Sequence, residues 1–166
     1  PFGYDRVFPR GMLREPLTGV SRADVVALTR RDAIDEVEAR SIERRVRQFN
    51  PQALWIELQQ SPRHLRDRAG RIAPLNSLQG QPLLAFCGIG NPAAFRRTMA
   101  SCGFSIIDCV EFGDHHNFTA DDWRVLQSRA RNAKANALVC THKDLVKLPA
   151  IAQNDLPTWA LEIGVQ

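Results

Sequence analysis

A short run of acids and histidines offers the clearest chemistry in this chain. Residues 111–123 read EFGDHHNFTADDW, so Asp114 is followed directly by His115 and His116. A carboxylate can orient an imidazole and raise its basicity, which makes a proton acceptor near neutral pH. The same residue types bind metals, and they also occur in ordinary polar loops. These three residues alone leave open a proton-transfer group, a metal ligand set and a structural loop.

A second candidate is the turn GIGNP, which contains Gly88, Gly90 and Asn91. It follows a predicted strand and opens a predicted helix, a place where backbone N–H groups bind anions. It lacks the third glycine of a dinucleotide fingerprint and the Lys-Ser/Thr pair of a phosphate-binding P-loop. By itself the pattern favours a tight structural turn, with anion binding as the alternative.

The third candidate is LREP, with Arg14 and Glu15 in a loop punctuated by proline and glycine. A glutamate at this position, just before a predicted buried strand, could position a metal-bound phosphate. It could equally form a surface ion pair with an arginine, and such exposed pairs contribute little stability.

Strands and helices must alternate to position these candidates. Apolar, β-branched runs at residues 23–29 and 53–58 predict buried strands, and residues 33–49 predict an amphipathic helix between them. The apolar face of that helix is predicted to carry Ile34, Val37, Ile42, Val46 and Phe49. Strand, helix and strand with short connections predict a parallel βαβ unit.

The chain then changes character. Residues 59–81 are polar and rich in proline and glycine, which favours a linker or an exposed hairpin. A second α/β run follows, and the histidines come at the carboxyl end of its strand 104–112, the usual edge for sites in open α/β sheets. Thr119 and Asp122 predict a capping box that starts the next helix. We predict three parts, residues 1–58, 59–81 and 82–166.

Composition narrows the class of partner. The 166 residues carry 22 Lys and Arg against 18 Asp and Glu, a net charge of +4, which favours an anionic partner. Aromatic residues make up 7% and do not alternate with basic ones, so nucleic acid is not expected. No apolar run predicts a membrane span or a signal peptide. The four cysteines form no C-x-x-C pair and are expected to be buried thiols.

Four stretches taken in order resemble one family. They are PFGYDRVFPRGMLREPLTGVSRADVV, LLAFCGIGNPAAFRRTMASCGF, FGDHHNFTADD and THKDLVKL. Together they are similar to the tetraacyldisaccharide 4'-kinase family, whose patterns are P-x-G-x-L-R-E-P, A-F-x-G-I-G-x-P, D-H-H-x-[YF]-[TS] and T-x-K-D-x-V-K. The resemblance covers nearly the whole chain and is far more specific than any one motif.

The resemblance implies an α/β fold, with the remnant of a P-loop-kinase-like domain followed by a small α/β sandwich lobe on a mostly parallel sheet. It implies ATP and Mg²⁺ as cofactors and the 4'-hydroxyl of a tetraacyldisaccharide 1-phosphate, a lipid A precursor, as the acceptor. The partners would be this anionic glycolipid and the membrane surface, on the cytoplasmic face of the inner membrane.

The resemblance also assigns roles to residues. His115 would belong to the carboxylate–histidine base, with Asp114 holding the loop or the ring, and Arg14 and Glu15 would lie near the nucleotide and metal. Supporting roles would fall to His116 and to two residues of THKD, Lys143 and Asp144.

Two departures from the family qualify these roles. His142 stands where the family usually has glutamate. The family's P-loop and its Asp-Asp-Gly-Phe-Gln segment precede the first motif and do not occur in these 166 residues, so we expect the chain by itself to be inactive and to hold no metal alone. The alternatives are a non-catalytic anion-binding α/β module and, less favoured, a manganese phosphoesterase of the Asp-His-His type.

Overall fold

The computed structural model describes residues 2, 5–150, 152 and 154–166, so three residues of the first motif, Pro1, Gly3 and Tyr4, lie outside it. The chain divides into two compact units. The first contains residues 1–60 with 165–166, and the second contains residues 61–164.

The first unit contains the predicted βαβ element. Strand β1 (Val25–Thr29) pairs in parallel with β2 (Leu54–Leu58), from Val25 opposite Leu54 to Thr29 opposite Leu58. Helix α1 (Glu36–Phe49) connects them. It begins where the Asp35 side chain accepts from the Glu38 N–H, a standard N-cap.

One side of α1 is buried, as its pattern predicts, through Ala39, Ile42 and Val46. The prediction for Val37 is wrong, because this side chain is 75% exposed. With 3.6 residues per turn, Val37 and Val46 are separated by two and a half turns and therefore lie on opposite sides of the helix. Ala39 and Val46 are nearly two full turns apart, so Ala39, and not Val37, belongs to the buried face.

The second unit is built on a six-stranded sheet in the order β4-β3-β8-β7-β5-β6. Its elements, listed along the chain, are β3 (Gln60–Arg66), β4 (Ile72–Ala73), β5 (Pro82–Cys87), α2 (Pro92–Ser101), β6 (Ser105–Glu111), α3 (Ala120–Asn132), β7 (Ala137–Thr141), α4 (His142–Leu145) and β8 (Thr158–Val165). Strands β6, β5, β7 and β8 run parallel to one another. The predicted α/β class with a mostly parallel sheet is confirmed.

Both faces of this sheet are covered. Alternate side chains of β5 point to opposite faces, and Leu83, Ala85 and Cys87 join one apolar cluster with Phe95 and Met99 of α2. The other face has its own cluster, in which β5 residues meet α3 and α4. Its central members are Leu84, Phe86, Trp123, Leu126 and Leu145.

Residues 59–81 contain an antiparallel pair, β3 with β4, in which Leu65 faces Ala73 and Arg66 faces Ile72. Strand β3 also lies beside β8 in the six-stranded sheet. Leu65 is fully buried in the first apolar cluster. The domain limits at residues 58 and 82 stay a prediction.

The cysteines are free thiols, and Cys87, Cys102 and Cys140 are buried. Burial raises the pKa of Cys87 to about 12 and raises that of Cys140 well above its ordinary value, because a thiolate is poorly solvated among apolar side chains. No helix within the described residues is long and apolar enough to cross a bilayer.

The hairpin can be tested for its contribution to the second unit. Replacing the fully buried Leu65 by Ala should lower the free energy of unfolding by about 2–5 kcal/mol, the usual cost of a large-to-small change in a core. The matched control is Ile72→Ala in the partner strand β4, where the side chain is 59% exposed and its loss should cost about 0.5 kcal/mol or less. Urea unfolding followed by Trp123 and Trp159 fluorescence, in a Trp55→Phe background, measures both. Equal, small effects would mean that the hairpin is not part of this core.

Candidate active site

The histidine loop lies at the carboxyl edge of the six-stranded sheet. Strand β6 ends at Glu111, and the next N–H, of Phe112, donates to the Cys87 carbonyl at the end of β5 at 2.8 Å. The loop then runs to Thr119, which caps α3. The motif Asp114-His115-His116 is thus found at the strand end where its position in the sequence predicted it.

His115 has a left-handed backbone with φ of 60°, a conformation that residues other than glycine adopt only at a cost in free energy. Its N–H donates to the Gly88 carbonyl at 3.2 Å and to Asp114 Oδ1 at 3.0 Å. The His115 side chain is 85% exposed, and its Nε2 lies 3.8 Å from Asp114 Oδ2, beyond hydrogen-bond distance. Asp114 therefore holds the loop backbone rather than the ring, and the imidazole is open to a ligand.

His116 has the opposite environment. Its Nε2 lies 3.0 Å from Asp122 Oδ2, and its ring stacks on Phe112 at 4.6 Å and meets the edge of Phe118 at 5.0 Å. The side chains of these two adjacent histidines thus point in different directions. One faces outward, and the other ties the loop to helix α3.

Asp122 does more than the capping box requires. Besides His116, its carboxylate accepts from the Thr119 N–H at 2.9 Å and from Thr119 Oγ1 at 2.8 Å. Hydrogen bonds from the Thr119 backbone and hydroxyl, and then from His116, hold the pKa of Asp122 below its ordinary value. The Thr119-x-x-Asp122 spacing signals the cap in the sequence, but nothing in that spacing signals the bond to His116.

The GIGNP turn packs against acidic side chains. The Gly88 N–H donates to Asp144 Oδ2 at 3.2 Å, and a Cβ on Gly90 would lie 3.1 Å from Asp114 Oδ2. Asn91 caps α2 by accepting from the Ala94 N–H at 3.0 Å. The structural role expected of this turn is visible in these contacts, and anion binding there stays a prediction.

The THKD motif supplies a buried carboxylate. Asp144 has no exposed surface, and its Oδ2 also accepts from Thr141 Oγ1 at 2.6 Å. Lys143, in contrast, is exposed. Lys147, the last lysine of the T-x-K-D-x-V-K pattern, was given no role from the sequence, and its Nζ donates to the His116 carbonyl at 3.4 Å.

His142 lies in a second group of charged side chains. Its Nδ1 is 3.6 Å from Glu162 Oε1, while Arg66 and His64 lie against the same carboxylate. The hydrogen bond from Arg66, followed by that from His64, keeps the pKa of Glu162 below its ordinary value. A histidine at position 142 thus adds a third basic group around one acid.

Arg14 and Glu15 lie in the first unit. The Glu15 carboxylate forms an ion pair with Arg22 through Oε2, and both side chains are largely exposed. Arg14 is exposed. Within the residues that the structure describes, no three His, Cys, Asp or Glu side chains are grouped so as to hold a metal ion.

Comparisons with known proteins give matches over most or all of this chain. The family model for tetraacyldisaccharide-1-P 4'-kinase matches residues 1–166. A tetraacyldisaccharide 4'-kinase of Hyphomonas neptunium is 37% identical over 161 residues, covering 96% of this chain and 41% of its own length. That of Halothermothrix orenii is 33% identical, covering 89% of this chain and 41% of its own length.

A solved structure shows the same fold. The "apo" form of LpxK from Aquifex aeolicus in complex with ATP superposes with a TM-score of 0.64 at 24% identity, covering 98% of this chain and 44% of that one. The site lies on an α/β fold of the kind found in that kinase. The chain belongs to the tetraacyldisaccharide-1-P 4'-kinase family and spans less than half the length of the curated relatives named above.

Gly88 offers a test of how tightly the loop packs. A Cβ at this position would lie 3.1 Å from His116 Cβ and 3.3 Å from the Gly113 carbonyl, so Gly88→Ala must displace the histidine loop. We expect a loss of about 1–3 kcal/mol in the free energy of unfolding, the usual cost of overpacking. Gly113→Ala, in the same loop, is the control, because its Cβ would meet nothing within 4 Å. Denaturation of both variants measures the difference, and equal stabilities would refute the packing.

Asp122 predicts an acid dependence of stability. Because its pKa is lower in the fold than in the unfolded chain, its contribution is present above about pH 4, near the unfolded pKa, and is lost as pH falls through the lower folded pKa. Asp122→Asn should therefore be less stable than the unaltered chain at about pH 7, and the gap should narrow below about pH 4.

Urea unfolding across this range measures the gap. The control is Asp121→Asn, which changes the neighbouring 78% exposed carboxylate and leaves the bonds of Asp122 intact. A gap that stays constant with pH would contradict the assigned role of Asp122.

Proposed function

We propose that this chain supplies the acceptor-side, proton-accepting loop of an ATP-dependent kinase that phosphorylates the 4'-hydroxyl of a tetraacyldisaccharide 1-phosphate, the precursor of lipid A. The observation that carries the proposal is His115. Its imidazole is exposed at the carboxyl edge of a parallel sheet while its backbone is held by two hydrogen bonds. Membership of the family gives this geometry its reaction.

Phosphoryl transfer depends mainly on positioning the reactants and neutralising charge. The attacking sugar hydroxyl must also lose a proton, and a general base needs to lie within hydrogen-bond reach of it, directly or through one water. The ring of His115 is exposed to such a hydroxyl, and a neutral imidazole has a lone pair that can accept the proton. His116 is hydrogen-bonded to Asp122 and has a structural role, holding the loop against helix α3.

The nucleotide and Mg²⁺ would be bound mainly by the family's P-loop segment, and Mg²⁺ would neutralise charge on the transferred phosphoryl group. In this chain Glu15 fits the role of one oxygen ligand. Its ion pair with Arg22 uses Oε2, and no described contact engages Oε1. Arg14, exposed beside it, would face the phosphates. The acceptor is an anionic glycolipid, so the complete protein would work at the cytoplasmic face of the inner membrane.

The test uses the complete protein that contains this chain and follows phosphate transfer from labelled ATP to the tetraacyldisaccharide 1-phosphate. Replacing His115 by Ala should lower kcat by about 10²–10⁴-fold, the range for loss of one general acid–base group. His116→Ala should lower it less. Asn117→Ala, an exposed neighbour in the same loop, is the control and should leave kcat unchanged.

Circular dichroism should show that all three variants fold. A folded His115→Ala protein with unaltered kcat would remove His115 from the mechanism, and a complete protein without transfer activity would refute the proposed function. The 166 residues tested alone should transfer no phosphate, because the P-loop pattern is not among them.

A further inference from the structure

Two side chains, one in the short helix α4 and one just after it, contact the backbone at or next to the histidine loop. Asp144 Oδ2 accepts from the Gly88 N–H, and the carbonyl of the same residue, Gly88, accepts from the His115 N–H. From Lys147, just after α4, Nζ donates to the carbonyl of His116. These two contacts hold the backbone at His115 and at His116, the residue that follows it.

The left-handed backbone of His115 needs such support. Conformations of this kind cost free energy and persist only where the surrounding structure leaves the chain no alternative. Asp114 provides one local contact to the His115 N–H, but Asp114 belongs to the same exposed loop and is adjacent to His115 in sequence. Contacts from outside the loop reach the backbone of His115 and His116 through Gly88 and Lys147.

We propose that Asp144 and Lys147 are positioning residues for the proton-accepting step, setting the backbone of His115 and thereby the direction of its ring. The proposal rests on the proposed function for its catalytic consequence. Neither side chain touches the reacting atoms. Asp144 is completely buried, and Lys147 is partly buried and engaged with a backbone carbonyl.

The carboxylate of Asp144 is used asymmetrically, and this gives a discriminating variant. Oδ2 accepts from both the Gly88 N–H and Thr141 Oγ1, while Oδ1 is buried without a hydrogen-bond partner among the described residues. An Asn side chain can present its carbonyl oxygen at the position of Oδ2 and preserve both bonds. Its NH2 group would then occupy the unpartnered position, which costs stability.

Asp144→Asn should therefore distinguish an effect on the stability of the fold from an effect on the position of His115. It should be less stable than the unaltered protein yet keep most of its kcat. Asp144→Ala, which loses the Gly88 contact, should lower kcat by about 10²-fold, as expected for a small misplacement of a reacting group, with the KM for ATP unchanged. Lys147→Met keeps the apolar stem, loses Nζ, and should lower kcat by a smaller factor.

The experiment measures kcat and KM in the complete protein, with amide hydrogen exchange at His115 resolved by mass spectrometry. Faster exchange at the His115 N–H is expected in Asp144→Ala and in Lys147→Met, and not in Asp144→Asn. Lys134→Met, beyond the end of α3, is the charge-matched control and should alter neither readout.

Unaltered exchange at His115 in Asp144→Ala and Lys147→Met would overturn the proposal, and so would a loss of kcat in Asp144→Asn equal to that in Asp144→Ala. If Asp144→Ala does not fold, Asp144→Asn and Lys147→Met still decide. If the unaltered protein shows no 4'-kinase activity, the proposed function fails, while exchange at His115 still determines whether α4 sets the loop.

Discussion

The second unit depends on the burial of β5 on both of its faces. From Leu83 to Cys87 the strand has no exposed surface, and its side chains alternate between the cluster with α2 and the cluster with α3 and α4. A shift of one residue would exchange the two faces, so the register of such a strand is strongly specified. Gly88, the next residue, is fixed by the same packing, and the histidine loop and the buried Asp144 both bond to it.

The backbone of the loop, bonded to Gly88, gives the two adjacent histidines different environments. The left-handed turn at His115 sends its ring toward solvent, while His116 turns back onto Phe112 and Asp122. A rigid backbone with one exposed imidazole suits a group that must meet a hydroxyl from outside. The neighbouring imidazole, with its ring nitrogen engaged, suits a tie between loop and helix.

The sequence was informative wherever periodicity decided the structure. The apolar run of β5, the βαβ element and the Thr119–Asp122 cap follow from local patterns, and the motifs placed His115 at the correct strand end. Contacts between side chains distant in the chain could not be predicted this way. The bond from Lys147 to His116 spans 31 positions, and that from Asp144 to Gly88 spans 56. Val37 was assigned to the buried face because it is apolar, although the period of 3.6 residues places it opposite Val46.

The buried thiols have a consequence for the chemistry of the folded chain. Oxidants and electrophiles react with the thiolate, and the raised pKa values of Cys87 and Cys140 keep both sulfurs protonated as well as shielded. Cys87 is the last residue of β5 and directly precedes Gly88, and Cys140 directly precedes Thr141 at the end of β7. Modification of either sulfur by an alkylating reagent would therefore require the strands beneath the histidine loop to separate. The rate at which an alkylating reagent modifies these two cysteines would therefore measure how often the core of the sheet opens.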